Sequence, residues 1–187
     1  MSRRHRGLRA VGRTVAGVPL VVGLGLLLPA HAAAHAGTTI PPFRTVAGDV
    51  LRPNPARWVL PTEGYHLTGR FGDVSGLWHT VHTGLDFAAP YGTPIRAVSG
   101  GVIVSTAYDG SYGNKTVERL PDGTDLWYAH QSAFAVQPGT QVVPGQLIGY
   151  IGTTGNTTGP HVHLEVRPDG GAPIDPFTAL EAHGLHP

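Results

Sequence analysis

The chain has 187 residues, thirteen lysines and arginines against twelve acids, and no cysteine. That length accommodates one domain, or at most two small ones. The missing cysteine excludes disulfides, cysteine-ligated zinc, a thiol nucleophile and a lipoprotein anchor.

Residues 1–36 read as a secretory signal peptide. Arg3, Arg4, Arg6, Arg9 and Arg13 form a basic segment without an acid, and residues 15–28 are an apolar run. The run is short for a membrane span, and Gly17, Pro19, Gly23 and Gly25 weaken it as a helix. Small-residue cleavage sites follow at Ala32 and Ala36. Arg3-Arg4 fits twin-arginine export as well as the general route. Cleavage would leave eight basic against twelve acidic side chains, a balance of −4, and Lys115 as the single lysine. No basic patch for nucleic acid or anionic lipid is expected, nor a stable membrane anchor after cleavage.

Residues 37–65 carry Pro41, Pro42, Pro53, Pro55 and Pro61 and read as a proline-rich linker or short leader. A domain over 66–180 and a tail over 181–187 follow. The domain alternates short β-branched runs with glycine turns, which predicts a mainly β fold, an antiparallel β-sandwich or open barrel. Three hairpins are expected: 94–98 with 102–105 about Ser99-Gly100-Gly101, 116–119 with 125–129 about Pro121-Asp122-Gly123, and 141–143 with 147–151 about Pro144-Gly145-Gln146. Only Pro176–His183 has room for a helix of two turns. Trp78, Tyr91, Tyr108 and Tyr112 are expected to pack in the core, and His66, His79, His183 and His186 to face solvent.

Four stretches carry candidate chemistry. His161 and His163 are two residues apart on a strand, so both side chains point to one face, with Cα atoms ~6.6 Å apart. That spacing suits one metal ligand beside one proton-transfer group, or two ligands. His82 and Asp86 are both potential zinc ligands, but a straight strand would part their Cα atoms by ~13 Å. The chain must therefore bend, and Gly84 is the residue that permits it. His130 ends the run Trp127-Tyr128-Ala129. The glycine-rich stretch 145–156 has neither a following helix nor a lysine, so tight turns explain it better than phosphate binding.

In this order, His82-x-x-x-Asp86, Tyr128-Ala129-His130 and Gly159-Pro160-His161-Val162-His163 resemble the lysostaphin/LytM-type zinc endopeptidases of bacterial cell walls. The resemblance runs from about Arg70 to Pro176 and includes Arg70-Phe71-Gly72, Tyr112-Gly113-Asn114 and Gly145–Gly149. It departs at Gln131 and Val162, where the family usually has leucine, both beside expected site residues rather than at them. It implies one zinc per chain held by His82, Asp86 and His163, His130 and His161 as the catalytic pair, and a groove in the β fold as the site. It implies a secreted, wall-associated monomer cleaving cross-links or stem peptides of peptidoglycan. The alternative is a catalytically silent module that binds wall or activates another hydrolase. Loss of one of the five residues would mark that alternative, and all five are present.

Overall fold

The computed structural model describes residues 54, 56–74 and 81–187. The expected signal peptide, Trp78 and His79 lie outside the described residues. Nine strands follow in chain order: β1 (His66–Gly69), β2 (Leu85–Ala88), β3 (Pro94–Arg96), β4 (Gly101–Tyr108), β5 (Asn114–Arg119), β6 (Asp125–Phe134), β7 (Gln141–Val142), β8 (Leu147–Ile151) and β9 (His161–Arg167). One α-helix, α1 (Pro176–Ala182), is the last of the described elements. All the pairings are antiparallel, in the order β1-β2-β9-β6-β5-β4-β7, with β8 joined to β6 and β3. The mainly β, antiparallel expectation holds.

Period-two alternation sorts the central strands into two faces. Leu85 and Phe87 of β2, Leu126 and Tyr128 of β6, and Leu164 and Val166 of β9 are buried in one core. Residues opposite each other across a ladder share a face, and the register pairs Leu85 with Leu164 and Tyr128 with Leu164. Each large apolar side chain so buried contributes about 1.5–3 kcal/mol. The intervening residues, Asp86, Trp127, Ala129, His161, His163 and Glu165, lie on the opposite face by the same register.

Two of the three expected hairpins do not form. β3 pairs with β8, and β4 pairs with β5 and β7, so 94–98 and 102–105 never meet. Ala97 and Val98 are fully buried, so the chain passes through the core instead of turning back. Gly101 is needed for close approach: a Cβ there would lie 2.5 Å from the Arg119 carbonyl oxygen. The Pro144-Gly145-Gln146 turn exists, with Gly145 at φ 83°, but β8 is taken by β3 and β6 and β7 by β4. The β5–β6 hairpin is present as expected.

Residues 57–65 hold no regular element, yet they pack on the sheet. Trp58 is buried and stacks on the His183 ring at 4.0 Å. The Val59 amide donates to the Val98 carbonyl, and the Arg96 amide to the Pro61 carbonyl, each at 2.8 Å. The helix starts where its sequence says it should. Asp175 caps it by accepting from the Phe177 amide at 2.9 Å, and Pro176 fits its first turn. Tyr91 and Tyr108 are each 65% exposed, not core residues as expected. Tyr91 sits in the Pro90–Gly92 turn, and Tyr108 ends β4.

Candidate metal centre

Strand register brings together residues far apart in the chain. Asp86 pairs with His163 across β2–β9, Ala88 with His161, and Ala129 with His163 across β6–β9. His82 reaches the same point because the chain bends at Gly84. That bend needs no positive φ; it needs the missing side chain. A Cβ on Gly84 would lie 2.7 Å from His163 Nε2. Gly69 of β1 has the same role on the other side, where a Cβ would come 2.5 Å from Asp86 Oδ2.

His82 Nε2, Asp86 Oδ1 and His163 Nδ1 form a triangle. His163 Nδ1 lies 2.8 Å from Asp86 Oδ1 and 3.0 Å from His82 Nε2, and His82 Nε2 lies 3.2 Å from Asp86 Oδ1. All three residues are buried. The other ring nitrogen of each histidine is already engaged. His82 Nδ1 donates to the Arg70 carbonyl at 2.9 Å, and His163 Nε2 donates to Glu165 Oε1 at 3.1 Å. With those protons spent, three lone pairs point at one another. The arrangement needs a positive charge in its middle, either a proton on His163 Nδ1 or a metal ion. Three ligand atoms of a tetrahedral zinc stand about 3.3 Å apart, only slightly wider than this triangle. Two imidazole nitrogens and one carboxylate oxygen are also the donor types zinc takes. The residues present fit a metal ion.

The electrostatics agree. Burial opposes ionisation of Asp86, but the neighbouring His163 and His82 imidazoles outweigh it and hold the carboxyl well below the usual carboxylate range. Burial likewise disfavours a charged His163, but Asp86 and Glu165 push its pKa well upward. The same field that favours a proton there favours a metal cation.

Two further histidines border the triangle. His161 Nε2 lies 3.7 Å from Asp86 Oδ1, and its Nδ1 donates to the Gly159 carbonyl at 2.9 Å. His130 and His161 have ring centroids 4.6 Å apart, and His130 Nδ1 donates to the Thr154 carbonyl at 2.8 Å. In the neutral form each of these rings leaves a lone pair on Nε2. Burial, reinforced by the neighbouring His161, lowers the His130 pKa to about 4, so this ring is neutral at neutral pH. His130 also has φ 60°, a left-handed backbone that costs a non-glycine residue of order 1–3 kcal/mol. There β6 changes partner, from β9 over Asp125–Ala129 to β8 from Gln131 onward. The unusual φ marks the point where the strand crosses from one ladder to the next, with the ring held at the site.

All five expected site residues therefore converge. Sequence reasoning left Glu165 and Thr83 without a role and put Tyr112 in the core; Thr83 and Tyr112 both donate to Glu165 Oε1. Glu165 was findable, since His161, His163, Glu165 and Arg167 continue one period of two. Thr83 and Tyr112 gave no such signal.

A family model described as Peptidase family M23 matches residues 80–176, just over half of the chain. The chain belongs to peptidase family M23. The M23 match spans the centre from His82 to His163 and ends at the start of α1. The chain is 47% identical over 134 residues to the DD-carboxypeptidase/endopeptidase Mpg of Neisseria meningitidis serogroup B, covering 70% of this chain and 31% of that one. It is 39% identical over 89 residues to the peptidoglycan DD-endopeptidase ShyC of Vibrio cholerae, covering 48% and 21%. The chain thus spans less than a third of the curated relatives it matches. The catalytic domain of the antimicrobial peptidase lysostaphin from Staphylococcus simulans has the same fold, with a TM-score of 0.58 and 32% identity over 63% of this chain and 92% of that one.

Proposed function

We propose that the chain is a zinc-dependent endopeptidase that hydrolyses peptide cross-links or stem peptides of bacterial peptidoglycan. The observation that carries this is the triangle of lone pairs from His82, Asp86 and His163, with the rings of two more histidines beside it. Membership of M23 and relatives named as endopeptidases supply the reaction class. His82, Asp86 and His163 would hold one zinc, which supplies Lewis-acid polarisation of a carbonyl and a more acidic bound water.

The chain's own residues do the rest. His130 and His161 each spend Nδ1–H on a backbone carbonyl and are thereby fixed as Nε2 bases. One takes the proton of the attacking water and returns it to the departing amine. Asp86 Oδ1 lies 3.7 Å from His161 Nε2, so an imidazolium there is stabilised as it forms. No side-chain nucleophile is required.

Residues 1–36 would direct export and 37–65 would serve as leader or linker to a domain over 66–180, its 57–65 end packed onto that domain through Trp58, giving a secreted, wall-associated monomer. Among the described residues no helix is long and apolar enough to cross a membrane. The test is digestion of purified peptidoglycan with and without chelator, products read by mass spectrometry. His163→Ala should lose zinc and activity, while His130→Ala should keep zinc and lose turnover. Full activity in a well-folded, metal-free preparation would sink the proposal. A zinc-loaded protein that binds wall without cleaving it would favour the silent-module alternative.

A further inference from the structure

Resting on that zinc-site reading, we infer that Glu165 is a positioning residue for His163, and that the hydroxyl of Tyr112 is part of the device that holds it. Glu165 is wholly buried, yet none of its oxygens lacks a partner. Its Oε1 accepts from His163 Nε2 at 3.1 Å, from the Tyr112 hydroxyl at 3.0 Å and from the Thr83 hydroxyl. Its Oε2 accepts from Arg167 Nε at 2.6 Å. Arg167 is itself pinned, lying 3.9 Å over the Trp127 ring and donating to the Gly171 carbonyl at 2.9 Å. A carboxylate with this many donors has one position open to it.

The consequence falls on the ring of His163. Its two nitrogens face different partners: Nε2 faces Glu165, and Nδ1 faces Asp86 and His82. With a cation in the triangle taking up the Asp86 charge, an acceptor at Nε2 selects the tautomer with Nδ1 bare, which is the atom turned into the triangle. The three donors come from three places. Arg167 shares a strand with His163. Thr83 adjoins His82. Tyr112 belongs to the loop between β4 and β5, which also grips the loop that fixes His130. There the Asn156 amide donates to the Ser111 carbonyl at 2.8 Å, and the Asn114 amide to Thr154 Oγ1 at 2.9 Å. Gly113 and Gly155 meet so closely that a Cβ on either would collide with the other loop. Glu165 therefore ties together the neighbours of both histidine ligands and the loop behind the proton-transfer pair.

The test uses the full chain with Glu165→Gln and Tyr112→Phe, the exposed Tyr108→Phe serving as control. Zinc affinity is measured by competition with a chromophoric chelator, and the His163 ring by nitrogen-15 correlation spectra of the zinc-loaded protein. Glu165→Gln should weaken zinc binding by about 10–100-fold, the usual cost of losing such a partner. Tyr112→Phe, which removes one hydroxyl and keeps the packing, should weaken it by roughly a factor of ten and shift the Nε2–H resonance of His163. Tyr108→Phe should change neither. Wild-type affinity and an unmoved ring signal in Tyr112→Phe and in folded Glu165→Gln would overturn the inference while leaving the zinc reading intact. A wild type that binds no zinc would sink the zinc reading itself.

Discussion

Glu118 offers a test of the interior that is independent of the metal centre. It lies on β5, fully buried on the core face, opposite Leu126. Its Oε2 accepts from the Tyr128 hydroxyl at 2.7 Å, and its Oε1 has no hydrogen-bond partner. Among the described residues no ion pair compensates the buried charge, and burial raises its pKa from 4.5 to about 7, the Tyr128 bond opposing only part of the rise. The folded state therefore binds this proton more tightly than the unfolded chain. Between pH 4.5 and 7 folded molecules carry more protons, so stability falls as pH rises; below 4.5 both states are protonated, and above 7 both are ionised. A shift of that size corresponds to about 3 kcal/mol. Glu118→Gln removes the titration and keeps the shape. In urea unfolding at closely spaced pH values, the variant should gain on wild type through this window and be more stable by about 3 kcal/mol at pH 8. The difference between the two proteins cancels other titrating groups. Parallel pH curves for the two would refute the argument, because they would mean that Glu118 ionises in the fold as freely as in the unfolded chain.

Three further outcomes are expected. Gly84→Ala would press its new methyl on the Leu164 carbonyl oxygen of β9 and on the His163 ring, so it should strain the β2–β9 ladder, lower stability by about 1–3 kcal/mol and abolish tight zinc binding; unchanged zinc affinity would show that the bend has room to spare. Trp58→Ala removes a buried ring stacked on His183 and should cost about 3–5 kcal/mol in urea unfolding, whereas a loss under 1 kcal/mol would detach residues 57–65 from the core. Zinc at about a hundred times its dissociation constant should stabilise the fold by about 2.7 kcal/mol, read as a concentration-dependent melting temperature that chelator reverses. A melting temperature indifferent to zinc would argue against an ion held by the folded state.

What could be read from the chain alone was local. Alternation along one strand is a property of three or four consecutive residues. The shared face of His161 and His163 was therefore legible, and Glu165 and Arg167 with it. The place of α1 and the β5–β6 hairpin were legible for the same reason, since each depends on residues a few positions apart. The need for a bend between His82 and Asp86 could be deduced, but its physical basis could not. Gly84 is required because the Leu164 carbonyl and the His163 ring occupy the space of its side chain, and they lie eighty and seventy-nine positions away along the chain. The failed hairpins have the same origin. Glycines at 100, 101 and 145 signal turns to a local reading. Which strands then pair was decided by burial of Ala97 and Val98 and by the place of β8 between β3 and β6. The centre itself exists only through register: moving β9 by one residue against β2 would turn His163 away from Asp86 and toward the core. The ligand types were written in the sequence, and their convergence on one point is a property of the sheet.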